Sequence, residues 1–240
     1  MEIYTDVDGI KTADPRIVPE AQTLSVTTYD EIVEMAHQGA KVIHPRAVEI
    51  AMRRNLPLRV KSTFDDSPGT LITYSIETTL GMTEKMNGRV ITGITHLPRM
   101  AQLRVLPGGK SEADMDLRLF RALADVDVDV DLVNVSPQQK SFIVPEGLGE
   151  KAARTIESLG FQVQVNKGCA KVSIIGSGMR GVPGVMASMV EALHQAGVSI
   201  LQTADSHVTI SCLVRQEDME AAVRALHAKF GLDRGAAADD

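Results

Sequence analysis

The sequence predicts a mixed α/β and α+β chain: an alternating α/β layer followed by an α+β unit that occurs twice. Three observations carry that expectation. From Ala170 to Asp205 the chain runs strand, glycine-rich loop, helix, strand. The same order of elements stands about seventy residues upstream, a separation that marks two copies of one supersecondary unit. Residues 1 to about 75, by contrast, hold short strands and helices of a layer in which the first half of the sheet is not present.

Glu2 to Thr5 reads as a strand that Asp6, Asp8 and Gly9 stop, and Thr12-Ala-Asp-Pro-Arg16 makes a second turn. Thr27 to Gln38 is a helix: Thr27 or Thr28 caps it, Glu31 stands near its third position, and Gly39 ends it. After Lys41-Val-Ile-His44, Pro45 opens a helix to Arg54, because its fixed φ suits a first turn and its missing N–H would go unpaired there anyway. His44 has no Cys, His or acid at ligand spacing and reads as a core or helix-entry histidine. Leu58 to Ser62 and Thr70 to Tyr74 are strands on either side of the turn Asp65 to Gly69. Residues 1–76 form this first region, and the polar stretch at 77–88, with charges of both signs, is a linker.

The first repeat spans residues 89–167. Arg89 to Ile94 and Gln102 to Leu106 are strand-like, Glu112 to Ala124 is a helix, Val128 to Val135 and Lys140 to Val144 are strands, Leu148 to Leu159 is a helix, and Phe161 to Val165 a strand. The second repeat spans residues 168–232. An apolar strand ending at Ile175 breaks at Gly176 to Gly184. A helix then starts near Pro183, with Val185, Met189, Val190, Leu193 and Ala196 on one stripe and Gly197 as its stop. Strands Val198 to Thr203 and Val208 to Val214 and a helix from Gln216 to Phe230 complete it. The Gly- and Ala-rich tail, 233–240, is expected to be disordered.

Composition limits the function classes. A 240-residue chain that is 44% apolar and 23% charged, with no run of eighteen apolar residues, is a soluble globular chain. Its net charge of −6 disfavours nucleic acid or an anionic membrane as partner, and 3% aromatics with no Trp disfavour base stacking. Cys169 and Cys212, far apart and without CxxC spacing, fit two buried thiols in a reducing compartment, so a cytoplasmic location is expected and no metal site.

Ile3-Tyr-Thr-Asp-Val-Asp-Gly-Ile10, Thr12-Ala-Asp-Pro-Arg16, Gly39-Ala-Lys-Val-Ile-His-Pro45 and Gly69-Thr-Leu71 resemble, in content and spacing, the closing part of the catalytic domain of aspartokinases, of the amino-acid kinase fold. The resemblance implies that Thr5, Asp6, Arg16 and Lys41 contact ATP. Chemically, Arg16 and Lys41 can meet phosphate oxygens and Asp6 can accept from an adenine or ribose donor. The alternative is that Asp6, Asp8 and Asp14 cap turns and Arg16 pairs with one of them. The family's KFGGTS-like strand and loop, which holds a phosphate-contacting lysine and much of the aspartate site, does not occur in these residues. The chain is therefore expected to lack catalytic residues and to be a piece of a longer kinase or the product of an internal start. ATP and Mg²⁺ would serve the parent enzyme and bind this portion weakly.

Cys169-Ala-Lys-Val-Ser-Ile-Ile-Gly176, Gly178-Met179, Val182-Pro-Gly184, Ser206 to Ile210 and Val223 to Leu232 resemble the ACT domain, a ferredoxin-like βαββαβ module that binds amino acids and occurs in tandem in aspartokinases. Gly108 to Asp114, Leu132-Val-Asn-Val135, Gly168 to Lys171 and Leu201 to His207 look closest to the diaminopimelate-sensitive, Bacillus-type enzymes. The resemblance implies feedback regulation of a parent that phosphorylates aspartate and opens lysine, methionine and threonine synthesis. The alternative is a stand-alone amino-acid-binding regulatory subunit.

The expected effector site is the loop at a helix N-terminus, with Met179, Gly181, Val182 and Gly184 receiving a carboxylate. The loop Gly108 to Asp114 is a second candidate. Asp131, Asn134, Asp205 and Ser206 are expected opposite, accepting from an ammonium of diaminopimelate or lysine. Asp125 to Asp131, acids alternating with valines, reads either as a solvated strand entry or as a cation site. A homodimer is expected, with Val172 to Ile175 and Gln102 to Leu106 in its interface.

Overall fold

The structure, a computed structural model, describes residues 1–40, 42–74, 90–106, 115–179 and 181–234. Lys41, the linker at 77–88, the loop Gly108 to Asp114 and the tail from residue 235 lie outside the described residues.

The first layer is a four-stranded sheet of β1 (Glu2–Thr5), β2 (Val26–Thr28), β3 (Leu58–Ser62) and β4 (Thr70–Thr73), in the order β1-β3-β4-β2. β1 runs parallel to β3 and β2 parallel to β4, while β3 and β4 are antiparallel. Two helices pack on it, α1 (Tyr29–His37) and α2 (Pro45–Arg53). Each has the start its residues call for. Thr28 and Glu31 close a reciprocal capping box on α1. His44 caps α2 by accepting the Arg46 N–H at Nδ1, with Pro45 next to it, so its role is helix entry.

The repeats build one six-stranded antiparallel sheet from β5 (Gly93–Leu106), β6 (Asp131–Val135), β7 (Lys140–Pro145), β8 (Gln162–Ile175), β9 (Gln202–Asp205) and β10 (Thr209–Arg215), in the order β6-β7-β5-β8-β10-β9. Helices α3 (Met115–Asp125) and α4 (Gly149–Ser158) come from the first repeat; α5 (Val185–Gln195) and α6 (Met219–Lys229) come from the second.

Two strands differ from the sequence reading in a way that reorganises the repeats. Arg89–Ile94 and Gln102–Leu106 are not two strands of the first repeat. Gly93, Ile94 and Gln102–Leu106 lie on one strand, β5, which residues 90–92 precede, and the boundary drawn between residues 167 and 168 falls inside another, β8. Met100–Leu106 pair with β7 and with Gln162–Asn166, whereas Gly93–Leu97 pair with Lys171–Ile175. The second repeat thus obtains its fourth strand from residues that precede the first. Each half of the sheet is then a four-stranded unit, and the long pair β5 and β8 is common to both.

That pair is irregular between Leu97 and Met100, where Arg99 adopts φ 58°. The two halves fold toward each other there, since Gln202 on one outermost strand donates to the Leu132 carbonyl on the other. Met100, Leu132, Ile143, Cys169 and Leu213 fill the space between the helix-free faces. The other faces carry the helices: Leu103, Phe142, Leu119 and Ile156 in one half, Val172, Ile174, Met189 and Leu226 in the other. Burying each such side chain contributes about 1.5–3 kcal/mol.

The expected dimer strands are corrected by this topology. Val172–Ile175 and Gln102–Leu106 lie in the two central strands, hydrogen-bonded on both sides, so neither has an edge left for a second copy. Among the described residues, the unpaired edges belong to β6 and β9.

Among the described residues, no helix is long and apolar enough to cross a membrane. Both cysteines are free and buried, and burial pushes the Cys169 thiol up and the Cys212 thiol up to about 12. A thiol held protonated and out of water is a poor nucleophile. An aromatic disulfide reagent at pH 8 should therefore release no thiol signal from the native protein and two equivalents in denaturant. Fast native labelling would contradict this packing.

Candidate functional site

The deepest change of direction in the second repeat is the connection from β8 to α5. Gly176 N–H donates to the Val208 carbonyl at 3.0 Å, Ser177–Met179 form a single tight turn, and Val182 N–H returns to the Met179 carbonyl at 3.1 Å. Gly184 then serves as the N-cap of α5 at φ +93°, a backbone region that a Cβ disfavours. Glycine has no side chain with which to cap. The first-turn N–H groups of α5 therefore keep their partial positive charge for an outside acceptor, unlike those of α1 and α2.

A cavity of about 520 Å³ opens beside this turn, lined by Met179, Gly181, Val182, Gly184, Val185, Met186, Asp205, Ser206, His207 and Ile210. Six residues singled out from the sequence, Met179, Gly181, Val182, Gly184, Asp205 and Ser206, are thereby brought together. The polar groups divide the work. Asp205 ends β9 and brings a carboxylate. Ser206 Oγ already accepts from Val208 N at 3.3 Å and Thr209 N at 3.1 Å, which leaves its O–H as a donor and not, as expected, as an acceptor for an ammonium. Apart from the His207 imidazole, the remaining side chains of the wall are apolar.

Asp131 and Asn134 do not join them. Asp131 Oδ2 lies 2.5 Å from Lys171 Nζ, and its Oδ1 accepts the Leu132 N–H at 2.7 Å. The Lys171 side chain is 3% exposed and that of Asp131 47%, so a buried cation reaches out to a carboxylate at the surface. Asp131 instead lines a separate cavity of about 640 Å³ with His37, Arg99, Asp129 and Glu146. Asn134 is exposed on β6, opposite Ser141. Both lie on β6, as the sequence suggests, but not at the α5-loop cavity; the other loop expected opposite them, Gly108 to Asp114, lies outside the described residues.

On the first layer, Thr5 and Asp6 stand at the end of β1, joined by a 3.0 Å hydrogen bond from Thr5 Oγ1 to Asp6 Oδ1. Arg16 forks onto Asp14, with Nε at 3.0 and 3.2 Å and Nη2 at 2.7 Å, and its hydrogen bonds hold the Asp14 carboxyl below the usual range. Arg16 is otherwise open to water, its side chain 87% exposed. Asp8 likewise takes Lys11 at 2.8 Å. Asp8 and Asp14 thus each hold a cation of their own turn, while Asp6 accepts from its neighbour Thr5. Among the described residues no group of three His, Cys, Asp or Glu side chains is placed to hold a metal ion.

One residue was seen from the sequence only as a cap. Glu31, 3% exposed, accepts through Oε2 from Thr27 Oγ1 at 2.9 Å and Thr28 N at 3.1 Å. Through Oε1 it accepts from Thr92 Oγ1 at 2.7 Å, Ser177 Oγ at 2.7 Å and Ser177 N at 3.0 Å. Burial alone would raise this carboxyl, but the donors, led by the Ser177 N–H, outweigh it and hold the pKa below its ordinary value. Ser177 lies 146 residues away in the chain, so no local spacing signals the pairing.

Comparison with known proteins finds two families along the chain. Residues 1–62 match the amino acid kinase family and residues 164–228 match the ACT domain. Aspartokinase 1 of Bacillus subtilis is 43% identical over 98% of this chain, which spans 57% of that relative's length. The E. coli aspartokinase III structure in complex with lysine and aspartate superimposes with a TM-score of 0.76 at 26% identity, over 95% of this chain and 51% of the other. The regulatory subunit of aspartate kinase from Thermus thermophilus is 31% identical with a TM-score of 0.54, over 59% of this chain and 99% of its own.

Proposed function

We propose, from the premise that this chain belongs to the aspartokinase family, that it is the regulatory part, with the adjoining end of the kinase layer, of an enzyme that phosphorylates the side-chain carboxylate of aspartate with ATP. We further propose that an end-product amino acid is read at the cavity beside the α5 loop. The observation that carries the second statement is the pairing, in one cavity, of uncapped helix N–H groups with the Asp205 carboxylate. The first suits an α-carboxylate and the second an α-ammonium, the two charges that every free amino acid presents.

Met179, Val182, Met186 and Ile210 offer an aliphatic wall to the side chain, which suits the methylene stem of lysine or diaminopimelate. With Asp205 the one carboxylate among the described residues that line the cavity, a second ammonium would reach toward solvent or another unit. In the parent, Thr5 and Asp6 at the end of β1 face the nucleotide, and Arg16, exposed on its turn, exchanges Asp14 for a phosphate. Lys41 would add a second cation. Phosphoryl transfer then rests on positioning and on cations and Mg²⁺ around the γ-phosphate.

The match to a stand-alone regulatory subunit along 99% of its length favours a second reading, an amino-acid-binding module without catalysis. Turnover separates the two. The family's KFGGTS-like segment does not occur in these 240 residues, and this polypeptide by itself should show no aspartate-dependent ATP turnover. Joined in frame to the amino-terminal portion of the Bacillus subtilis relative, it should gain turnover that an end-product amino acid lowers. A folded, ATP-binding chimera that ignores aspartate would contradict the kinase reading.

A further inference from the structure

We propose that Glu31 is the positioning residue through which occupancy of the α5-loop cavity reaches the first layer. The proposal rests on the reading of that cavity as an amino-acid site.

A capping box needs only one carboxylate oxygen, and Oε2 of Glu31 supplies it to Thr27 and Thr28. Oε1 is left over for that purpose. It is nevertheless fully engaged, by three donors from two segments distant in sequence, Thr92 and Ser177. No cation is among these five donors, so among the described residues it is hydrogen bonds that balance the buried charge. A carboxylate held this way tolerates little displacement, because losing one donor leaves charge desolvated and underpaired.

The geometry makes a short mechanical chain. Met179, 7% exposed, is both a wall of the cavity and the last residue of the tight turn that Ser177 begins. Ser177 grips Glu31 with its N–H and its hydroxyl. Glu31 in turn holds the first turn of α1 and the end of β2, which pairs with β4 in the sheet that carries Thr5 and Asp6. Thr92, the third donor, immediately precedes β5 and donates its own N–H to the Ile175 carbonyl at 2.7 Å. A ligand that shifts the turn must either drag Glu31 with it or break these bonds.

Amide hydrogen exchange with and without saturating lysine or diaminopimelate tests this. In the wild type, ligand should change exchange both in residues 176–186 and in residues 27–35. Glu31→Gln keeps the shape but puts an NH₂ against donors. It should keep the change in the loop and lose the one in α1. Thr28→Ala, which removes a capping hydroxyl but leaves every Oε1 contact, should keep both, as a purely structural cap would not. Ser177→Ala, which leaves the cap of α1 whole, should diminish the α1 response and serves if Glu31→Gln does not fold.

If calorimetry finds no amino acid bound to the wild type, the cavity reading falls and this proposal with it. If ligand binds and α1 responds equally in Glu31→Gln and Ser177→Ala, the cavity reading stands and Glu31 alone is refuted.

Discussion

Gly39→Ala should lower stability by about 2–5 kcal/mol, the sum of backbone strain and overpacking. Gly39 follows α1 at φ +110°, and a Cβ built there would stand 2.2 Å from the His96 carbonyl oxygen. That oxygen belongs to β5, in the stretch that completes the second half of the large sheet. Neither partner can give way by a side-chain rotation, because the obstacle is backbone. The variant must part the first layer from the sheet or distort α1. Gly147, with ordinary φ and nothing within 4 Å of an added methyl, provides the control, and its alanine variant should stay within about 0.5 kcal/mol of the wild type. Urea midpoints of the two variants check this, and equal midpoints would mean that the layers are not in the contact described.

Asp131→Ala should cost about 2–3 kcal/mol of folding stability while leaving amino-acid binding at the α5-loop cavity unchanged. Removing one member of a fully buried ion pair typically costs about 3–5 kcal/mol, because the other charge is left without a partner. Lys171 is buried and Asp131 only half so, hence the smaller figure; water entering from the Asp131 side can solvate part of the stranded ammonium. The double variant Asp131→Ala/Lys171→Met should recover much of the loss, since an apolar side chain suits that space. A single variant as stable as the wild type, or one that loses ligand without losing stability, would restore Asp131 to the effector site that the sequence suggested.

What the sequence disclosed was local. The capping box of Thr28 and Glu31 and Pro45 opening α2 are signals carried within four or five residues, and both helices formed where they stand; α5, expected to start near Pro183, begins instead at Val185 behind Gly184, whose φ of +93° keeps Pro183 out of the first turn. The six cavity residues around Met179 and Asp205 were legible for the same reason: a loop, a helix start and a strand end in one repeat converge by the order of the unit. The rest depended on pairing between distant segments. Gly168 looked like a break between repeats, yet β8 runs through it because β5 is long enough to pair with both its ends. Lys171 and Asp131 are 40 residues apart and meet only because the sheet folds at Arg99. Ser206 kept its place but not its role, as two backbone N–H groups had claimed its oxygen.

Calorimetric titration of the wild type and Asp205→Ala with diaminopimelate, lysine and threonine tests the central claim most directly. The account expects diaminopimelate or lysine to bind at one site per chain more tightly than threonine. It expects Asp205→Ala to lose at least about tenfold in affinity, since a charge-assisted hydrogen bond contributes about 1.5–3 kcal/mol and about 1.4 kcal/mol is a factor of ten. No heat from any of the three, or an Asp205→Ala variant that binds as tightly as the wild type, would contradict it.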